Sequence, residues 1–226
     1  MAEQKYELQI THDLRPAYYD EFHCLAQQCH ISCCKGWRIP FDKKDYLSLK
    51  HEKGSTELQK RLKDSMRRLS GAAYYAEFIM KDGWCPLLRG DGLCTLQCEK
   101  GHSSLPEVCR KFPRTEVYMP GYLERSLSPA CESVLHLLWD LPEGTVFCSD
   151  PLPEKDCRTL VFASASPLNE NLGYHFQEIR SCCIDMLQDR RHSLPERILR
   201  MGLVLKDLYD GETNIEQWLE FAHALA

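Results

Sequence analysis

Apolar positions along this chain change period several times, and each change marks a different element. Over residues 43–70, Leu58, Leu62, Met66 and Leu69 recur at spacings of four, four and three, which predicts one amphipathic helix. Thr56 and Gln59 form its capping box after Gly54. Residues 74–80, YYAEFIM, are aromatic and β-branched enough for a short strand. Residues 115–127, TEVYMPGYLERSL, set Pro120 and Gly121 between two segments rich in Val, Tyr and Leu, the pattern of a β-hairpin. Ser128 and Pro129 then open a helix to about Leu141, with Val134, Leu135 and Leu138 on its apolar face and Cys131 in its first turn.

Residues 142–170 are proline-rich with little periodicity and read as a long connection. Three amphipathic helices follow. Leu172, Phe176, Ile179, Cys183 and Met186 mark the first. Ser193, Pro195 and Glu196 cap the second, which carries Ile198, Met201, Leu205 and Leu208, and Thr213 and Glu216 cap the third around Trp218. The expected fold is α+β and mainly helical, an irregular core with a small β-hairpin and a C-terminal helical layer.

Composition narrows the class. The chain is 43% hydrophobic and 27% charged, and no apolar run approaches the roughly 20 residues that span a bilayer, so no membrane span is expected. The start, MAEQKYELQI, lacks the basic-then-apolar pattern of a secretory leader, which points to the reducing cytoplasm. A net charge of −5 and a pI near 6.0 argue against nucleic acid as a partner. Lys60, Arg61, Lys63, Arg67 and Arg68 form a basic run at helical spacing, which reads as a solvated face.

The 13 cysteines are the anomaly. An odd count without a leader argues against a disulfide framework and for thiolate ligands. Four lie in FHCLAQQCHISCCKGW (residues 22–37) as Cys24, Cys29, Cys33 and Cys34; Cys85, Cys94, Cys98 and Cys109 follow, then Cys131. Soft thiolates select zinc, cuprous copper or iron–sulfur clusters, about four per site. Zinc ribbons rely on cysteine pairs two residues apart, and none occurs here. The run CHISCC also misses the three-cysteine loop of radical S-adenosylmethionine enzymes, because Cys33 and Cys34 are adjacent. In an extended segment such neighbours face opposite ways, so they serve two centres or one is a core thiol. Cys182 and Cys183, inside an amphipathic helix, read as buried apolar side chains; Cys98, Cys148 and Cys157 read as incidental. The chain therefore divides into a cysteine-rich metal-binding domain (1–141), a connecting segment (142–170) and a helical layer (171–226).

Three segments resemble the flagellin lysine N-methylases, and more distantly the small cysteine-rich zinc- or iron-chelating proteins. They are FHCLAQQCHISCCKGWRIPFD (22–42), CPLLRGDGLCTLQCEKGHSSLPEVCRKFPR (85–114) and ERSLSPACESVLHLL (124–138), and the likeness covers roughly residues 15–141. Cys24, Cys29, Cys33, Cys34, Cys85, Cys94, Cys109 and Cys131 match the family pattern, which makes them the expected metal ligands. Trp37, Asp42, Pro86, Gly92, Arg110, Pro113, Arg114, Glu124, Arg125, Ser126 and Leu127 also fall on motif positions. The resemblance implies a [4Fe–4S] enzyme that moves a methyl group from S-adenosylmethionine to lysine ε-amines of flagellin. The sequence holds no glycine-rich strand-to-helix turn of the dinucleotide-binding kind. An iron with an open position would instead hold the donor's amino and carboxylate groups.

The attacking lysine must be neutral, so a site of this kind desolvates it or takes its proton. Asp42, Glu124 and Tyr122 are candidates for that base by type, although residues at motif edges more often cap turns or pair with arginines. Members of the family usually continue well beyond the length of this chain. The competing class is a non-catalytic zinc- or iron-binding module, a shortened relative in which metal serves to hold irregular loops. Thiol–disulfide sensing ranks last, because adjacent Cys33 and Cys34 make only a strained bridge.

Overall fold

The computed structural model describes residues 4–71, 73–119, 121–142, 144–164, 175–210 and 214–225. The chain forms two compact units that are not consecutive in sequence: Met1–Ala17, Glu116–Arg125 and Pro142–Ala226 make one, Tyr18–Thr115 and Ser126–Leu141 the other.

The second unit carries the cysteine-rich segments. Its strands β3 (Pro40–Phe41), β4 (Met66–Arg68) and β5 (Ala76–Phe78) form an antiparallel sheet in the order β3-β5-β4. Around it lie α1 (Lys43–Lys50), α2 (Thr56–Ser65), α3 (Thr95–Lys100), α4 (Glu107–Lys111) and α5 (Glu132–Trp139). Ile39, Phe41, Leu49, Leu58, Leu62, Ala76, Phe78, Leu87 and Leu96 fill the core between sheet and helices. Glu77, buried on β5, accepts from Arg38 Nε at 2.7 Å and Arg67 Nη2 at 2.5 Å. The Arg67 bond, seconded by Arg38, holds its carboxyl below the usual carboxylate range.

The single helix expected over 43–70 is two helices and a strand. Asp42 caps α1 by accepting from the Asp45 N–H, and α1 ends at His51. The second helix is capped by Ser55, not by Thr56, through a bond from the Leu58 N–H at 3.1 Å. Glu99 of α3 reaches back to Ser55 N and Oγ at 2.9 and 2.6 Å. That approach leaves no room at Gly54, where a Cβ would lie 2.8 Å from Leu58 Cδ2 and 3.0 Å from Glu99 Oε2. Leu58 is fully buried and cannot yield, so glycine marks the break. Beyond Ser65 the chain pairs with β5, and sheet partners outweigh a helical spacing that includes Met66.

The strand expected in 74–80 is β5, and the hairpin expected in 115–127 is β6 (Arg114–Met119) and β7 (Tyr122–Leu127), adjacent in a sheet ordered β6-β7-β2-β8. Gly121 takes φ +82°, which a turn there requires; Pro120 lies outside the described residues. Within the first unit, β2 (His12–Pro16) runs parallel to β7 and antiparallel to β8 (Phe147–Pro151), and β1 (Gln4–Ile10) pairs antiparallel with β9 (Arg158–Ser164). Segment 142–170, expected to be a connection, thus contributes two strands. Their partners lie at the far end of the chain, a pairing no local pattern reveals.

The helical layer is present as α6 (Phe176–Gln188), α7 (Leu194–Asp210) and α8 (Ile215–Leu225). Ile179, Cys182, Met186, Val204, Trp218 and Ala222 form its core, with Cys183 packed against it, as expected of the paired cysteines. Ser193 and Glu196 cap α7 as expected, the Ser193 N–H and Oγ both donating to Glu196 at 2.8 Å. The buried stripe of α7 is Met201, Val204 and Leu208, whereas Ile198 and Leu205 of the expected face are exposed. Asn214 accepts from the Glu216 N–H at 2.8 Å at the start of α8. Leu172 and Thr213 lie outside the described residues. No helix among the described residues is long and apolar enough to cross a membrane.

Two outcomes follow for the helical layer. Trp218 is fully buried and its indole donates to the Val204 carbonyl at 2.8 Å. Trp218→Ala should lower stability by about 3–5 kcal/mol in chemical denaturation followed by circular dichroism. Asp189 is held down to about 2 by its bond to Arg191, with the charges of Arg191 and His192 adding. Its contribution is whole above the ordinary carboxylate value of about 4 and is lost as pH falls toward about 2. Asp189→Asn should therefore flatten the acid limb of the melting-temperature profile.

Candidate metal centre

The first cysteine arm folds by local bonds. Ala26 sits at φ +51°, in the left-handed region, and its N–H points at Cys24 Sγ at 3.4 Å. A short 3-10 turn, Ala26–Gln28, follows and delivers Cys29. Glu132 at the start of α5 then clamps the arm, accepting from the backbone N–H groups of His30 and Ile31 at 2.6 and 2.7 Å and pairing with His30 Nδ1 at 2.7 Å. The His30 bond first, then the Ile31 N–H, pulls its carboxyl down to about 2.

Cys33 and Cys34 lie in a turn and not in an extended strand, so both face the same space. The Trp37 indole donates to the Cys33 carbonyl at 2.7 Å, and the Cys85 N–H to the Cys34 carbonyl at 2.8 Å. A second backbone bond, Gly36 N–H to Gly83 carbonyl at 2.8 Å, completes the seam between the first and second arms.

The second arm is a compact loop. Thr95 N–H donates to the Leu87 carbonyl and Arg89 N–H to the Leu93 carbonyl, both at 2.8 Å, and Gly92 turns the loop at φ +82°. Arg61 of α2 holds it from outside, donating to the carbonyls of Pro86 and Leu88 at 3.1 and 3.2 Å. Arg61 and Arg67, two members of the basic run, are thus tied into the fold and are not merely solvated. Cys94 caps α3, Cys109 sits on α4, and Cys131 caps α5, one step before the first turn it was expected to occupy. Helix α5 begins at Glu132, and its buried side is Ser133 and Val134, with Leu138 packed against the cluster of Tyr19, Phe22, Leu127 and Val134 while Leu135 is exposed.

All eight cysteines expected as ligands line one cavity of about 350 Å³: Cys24, Cys29, Cys33, Cys34, Cys85, Cys94, Cys109 and Cys131. Cys98 is exposed and is not among the lining residues. The rest of the wall is largely apolar and aromatic, with Phe22, Trp37, Leu105 and Phe112 prominent, and the Trp37 and Phe112 rings are 5.8 Å apart. Pro113 and Arg114 also line it, Arg114 lying 4.9 Å over the Phe22 ring.

Burial and neighbouring thiols raise Cys29, Cys33, Cys34, Cys94 and Cys109 above the ordinary thiol value. Burial pushes Cys29 up to about 11, with the charges of Cys24, Glu132, Cys131 and Cys33 adding. The bond to Cys33 pulls Cys34 down, but its bond to Cys85 and burial carry it up to about 12. Cys33 rises chiefly through its bond to Cys34, Cys109 through burial, and Cys94 through burial opposed by the N–H groups of Gln97 and Leu96. A cation bound here would displace protons from the thiols. As the side chains stand, no three His, Cys, Asp or Glu among the described residues close on one point to hold an ion. The donor set nevertheless fits a thiolate-ligated centre in kind and number: four sulfurs serve a [4Fe–4S] cluster or a structural zinc, and eight are at hand.

The residues weighed as a base are occupied elsewhere. Asp42 caps α1, Glu124 receives Arg180 Nη2 at 2.6 Å, and the Tyr122 ring packs against His12. Other motif positions also hold structure: Arg110 donates to the Leu105 carbonyl, Arg125 pairs with Asp13, Ser126 bonds Thr115, and Leu127 is core. The sequence reading missed Glu132, His23, Gln97 and His102, all of which line the cavity. Glu132 had a signal, a carboxylate directly after a matched cysteine at a helix start. Glu132→Ala should speed amide exchange at His30 and Ile31 and leave the amides of the Trp218 cluster unchanged.

Comparison with known proteins now bears on the whole. The chain is 31% identical over 144 residues to the Lysine-N-methylase of Salmonella typhimurium, a match covering 61% of this chain and 34% of that protein. The Lysine-N-methylase of Salmonella choleraesuis gives the same figures. The match to the flagellar biosynthetic protein FliU of Salmonella muenchen is also 31% over 144 residues, and covers 81% of that protein. No family model and no solved structure matches. At this identity, over so large a share of FliU, the chain belongs to the family of the flagellar lysine N-methylases and FliU.

Proposed function

We propose that this chain holds a [4Fe–4S] cluster through its cavity thiols and takes part in moving a methyl group from S-adenosylmethionine to lysine ε-amines of flagellin. One observation carries the metal half: cysteines from four separate segments line a single cavity. The names of the relatives support the methyl-transfer half and the flagellar substrate. Thirteen cysteines, all free, suit the reducing cytoplasm.

The ligands would come from Cys24, Cys29, Cys33, Cys34, Cys85, Cys94, Cys109 and Cys131. When bound, a cluster with one open iron position supplies a Lewis-acidic anchor for the donor's amino and carboxylate groups. The chain's own residues do the rest. Phe22, Trp37, Leu105 and Phe112 exclude water, which favours the neutral form of an entering lysine amine. The Trp37 and Phe112 rings offer aromatic faces that attract a sulfonium cation. The amine's lone pair forms the new N–C bond as the C–S bond breaks. The C–S electron pair stays on sulfur to give S-adenosylhomocysteine, and the methylated ammonium then loses a proton to solvent.

A second reading, a non-catalytic zinc- or iron-binding module, is favoured by the donor set, since four of these sulfurs serve a structural zinc as readily as a cluster. Anaerobic purification with iron, sulfide and zinc analysis separates the two. Brown protein with equimolar iron and sulfide is expected; colourless protein with zinc establishes the module. Labelled S-adenosylmethionine incubated with the iron-loaded protein and flagellin should then place label on lysine, and unlabelled flagellin would remove the transferase reading.

A further inference from the structure

The eight thiols are not equivalent in their packing, and the difference falls into two sets of four. Cys85 belongs to the buried core of the cysteine-rich unit, and Cys34, Cys94 and Cys109 pack directly against it. The backbone joins three of them: Cys85 N–H bonds the Cys34 carbonyl at 2.8 Å, and Leu88, three residues on from Cys85, bridges to Cys94. Cys24, Cys29 and Cys33 are absent from that core, and Cys131 packs on a different one, with Tyr19, Phe22, Leu127 and Val134. Cys24 and Cys33 are exposed, Cys29 and Cys131 half-buried.

From this division, and resting on the reading of the cavity as a metal centre, we infer that the chain builds two thiolate centres: an inner one from Cys34, Cys85, Cys94 and Cys109, which holds the cluster, and an outer one from Cys24, Cys29, Cys33 and Cys131, which binds a second, exchangeable metal. The adjacent pair Cys33 and Cys34 then has a function, one thiol to each centre. The inner ligands sit on packed elements and are fixed before metal arrives. Three outer ligands, Cys24, Cys29 and Cys33, sit on an exposed arm whose position depends on the Glu132 clamp, and Cys131 directly precedes Glu132 at the start of α5. Such a centre exchanges more readily, because the arm that carries its ligands opens without disturbing the main core.

The test compares the full chain with two variants after anaerobic reconstitution with iron and sulfide. The triple variant Cys24→Ser, Cys29→Ser, Cys131→Ser should keep the full inorganic sulfide and visible absorption of one cluster while losing the metal bound in excess of it. Cys85→Ser with Cys109→Ser should lose the cluster's sulfide and absorption. Cobalt(II) titration of unreconstituted protein should show two thiolate-bound ions per chain, falling to one in the triple variant. Loss of the cluster in the triple variant, or one cobalt ion in the unaltered chain, overturns the division while leaving the metal reading in place. An unaltered chain that takes up neither cluster nor cobalt overturns the metal reading and the division with it. If the inner variant fails to fold, the triple variant and the cobalt count still decide.

Discussion

The cysteine cavity depends on a seam of backbone hydrogen bonds, Cys85 N–H to Cys34 carbonyl and Gly36 N–H to Gly83 carbonyl, each 2.8 Å. Thiols cannot make such a junction themselves. Protonated sulfurs attract one another weakly, and ionised ones repel. The sulfurs must therefore be brought together by groups that gain from meeting, and backbone donors and acceptors leaving water are such groups. Around the seam, Arg61 fixes the second arm from α2 and Glu132 fixes the first from α5. Each charged side chain satisfies backbone groups that a metal-loop backbone would otherwise leave unpaired.

The same environment sets the chemistry. Burial against Leu87, Leu105 and their neighbours raises Cys94 and Cys109, so these two are neutral donors. A soft, highly charged centre would reverse that balance by coordinating thiolates directly, and its binding energy would become folding energy for the irregular loops. This links the metal reading to the fold whichever function the centre serves. It also explains why helices α3, α4 and α5 are short. They present Cys94, Cys109 and Cys131 at their starts or within one turn, where a ligand is positioned without a long, rigid element.

Much of the local structure was legible. The 74–80 strand, the hairpin about Gly121, the Ser193–Glu196 cap and the burial of Trp218 each rest on residues close in sequence. Misreadings came where a partner from afar decided. Met66 and Leu69 continue a helical spacing, yet β5 takes that stretch as a strand. Segment 142–170 lacks periodicity because β8 and β9 draw their order from β2 and β1. Ser55, not Thr56, caps α2 because Glu99 is there to hold it.

The sequence by itself singled out eight cysteines, through their match to the family pattern, and set them apart from Cys98 and from the buried Cys182. Residue type and order carry that information, since thiol chemistry is local. Only the tertiary structure decided that those eight share one cavity, that Cys33 and Cys34 turn toward the same space, and that Glu132 clamps the arm between them and Cys29. Convergence of this kind is set by core packing and by hydrogen bonds between distant segments, and no window of neighbouring residues contains either.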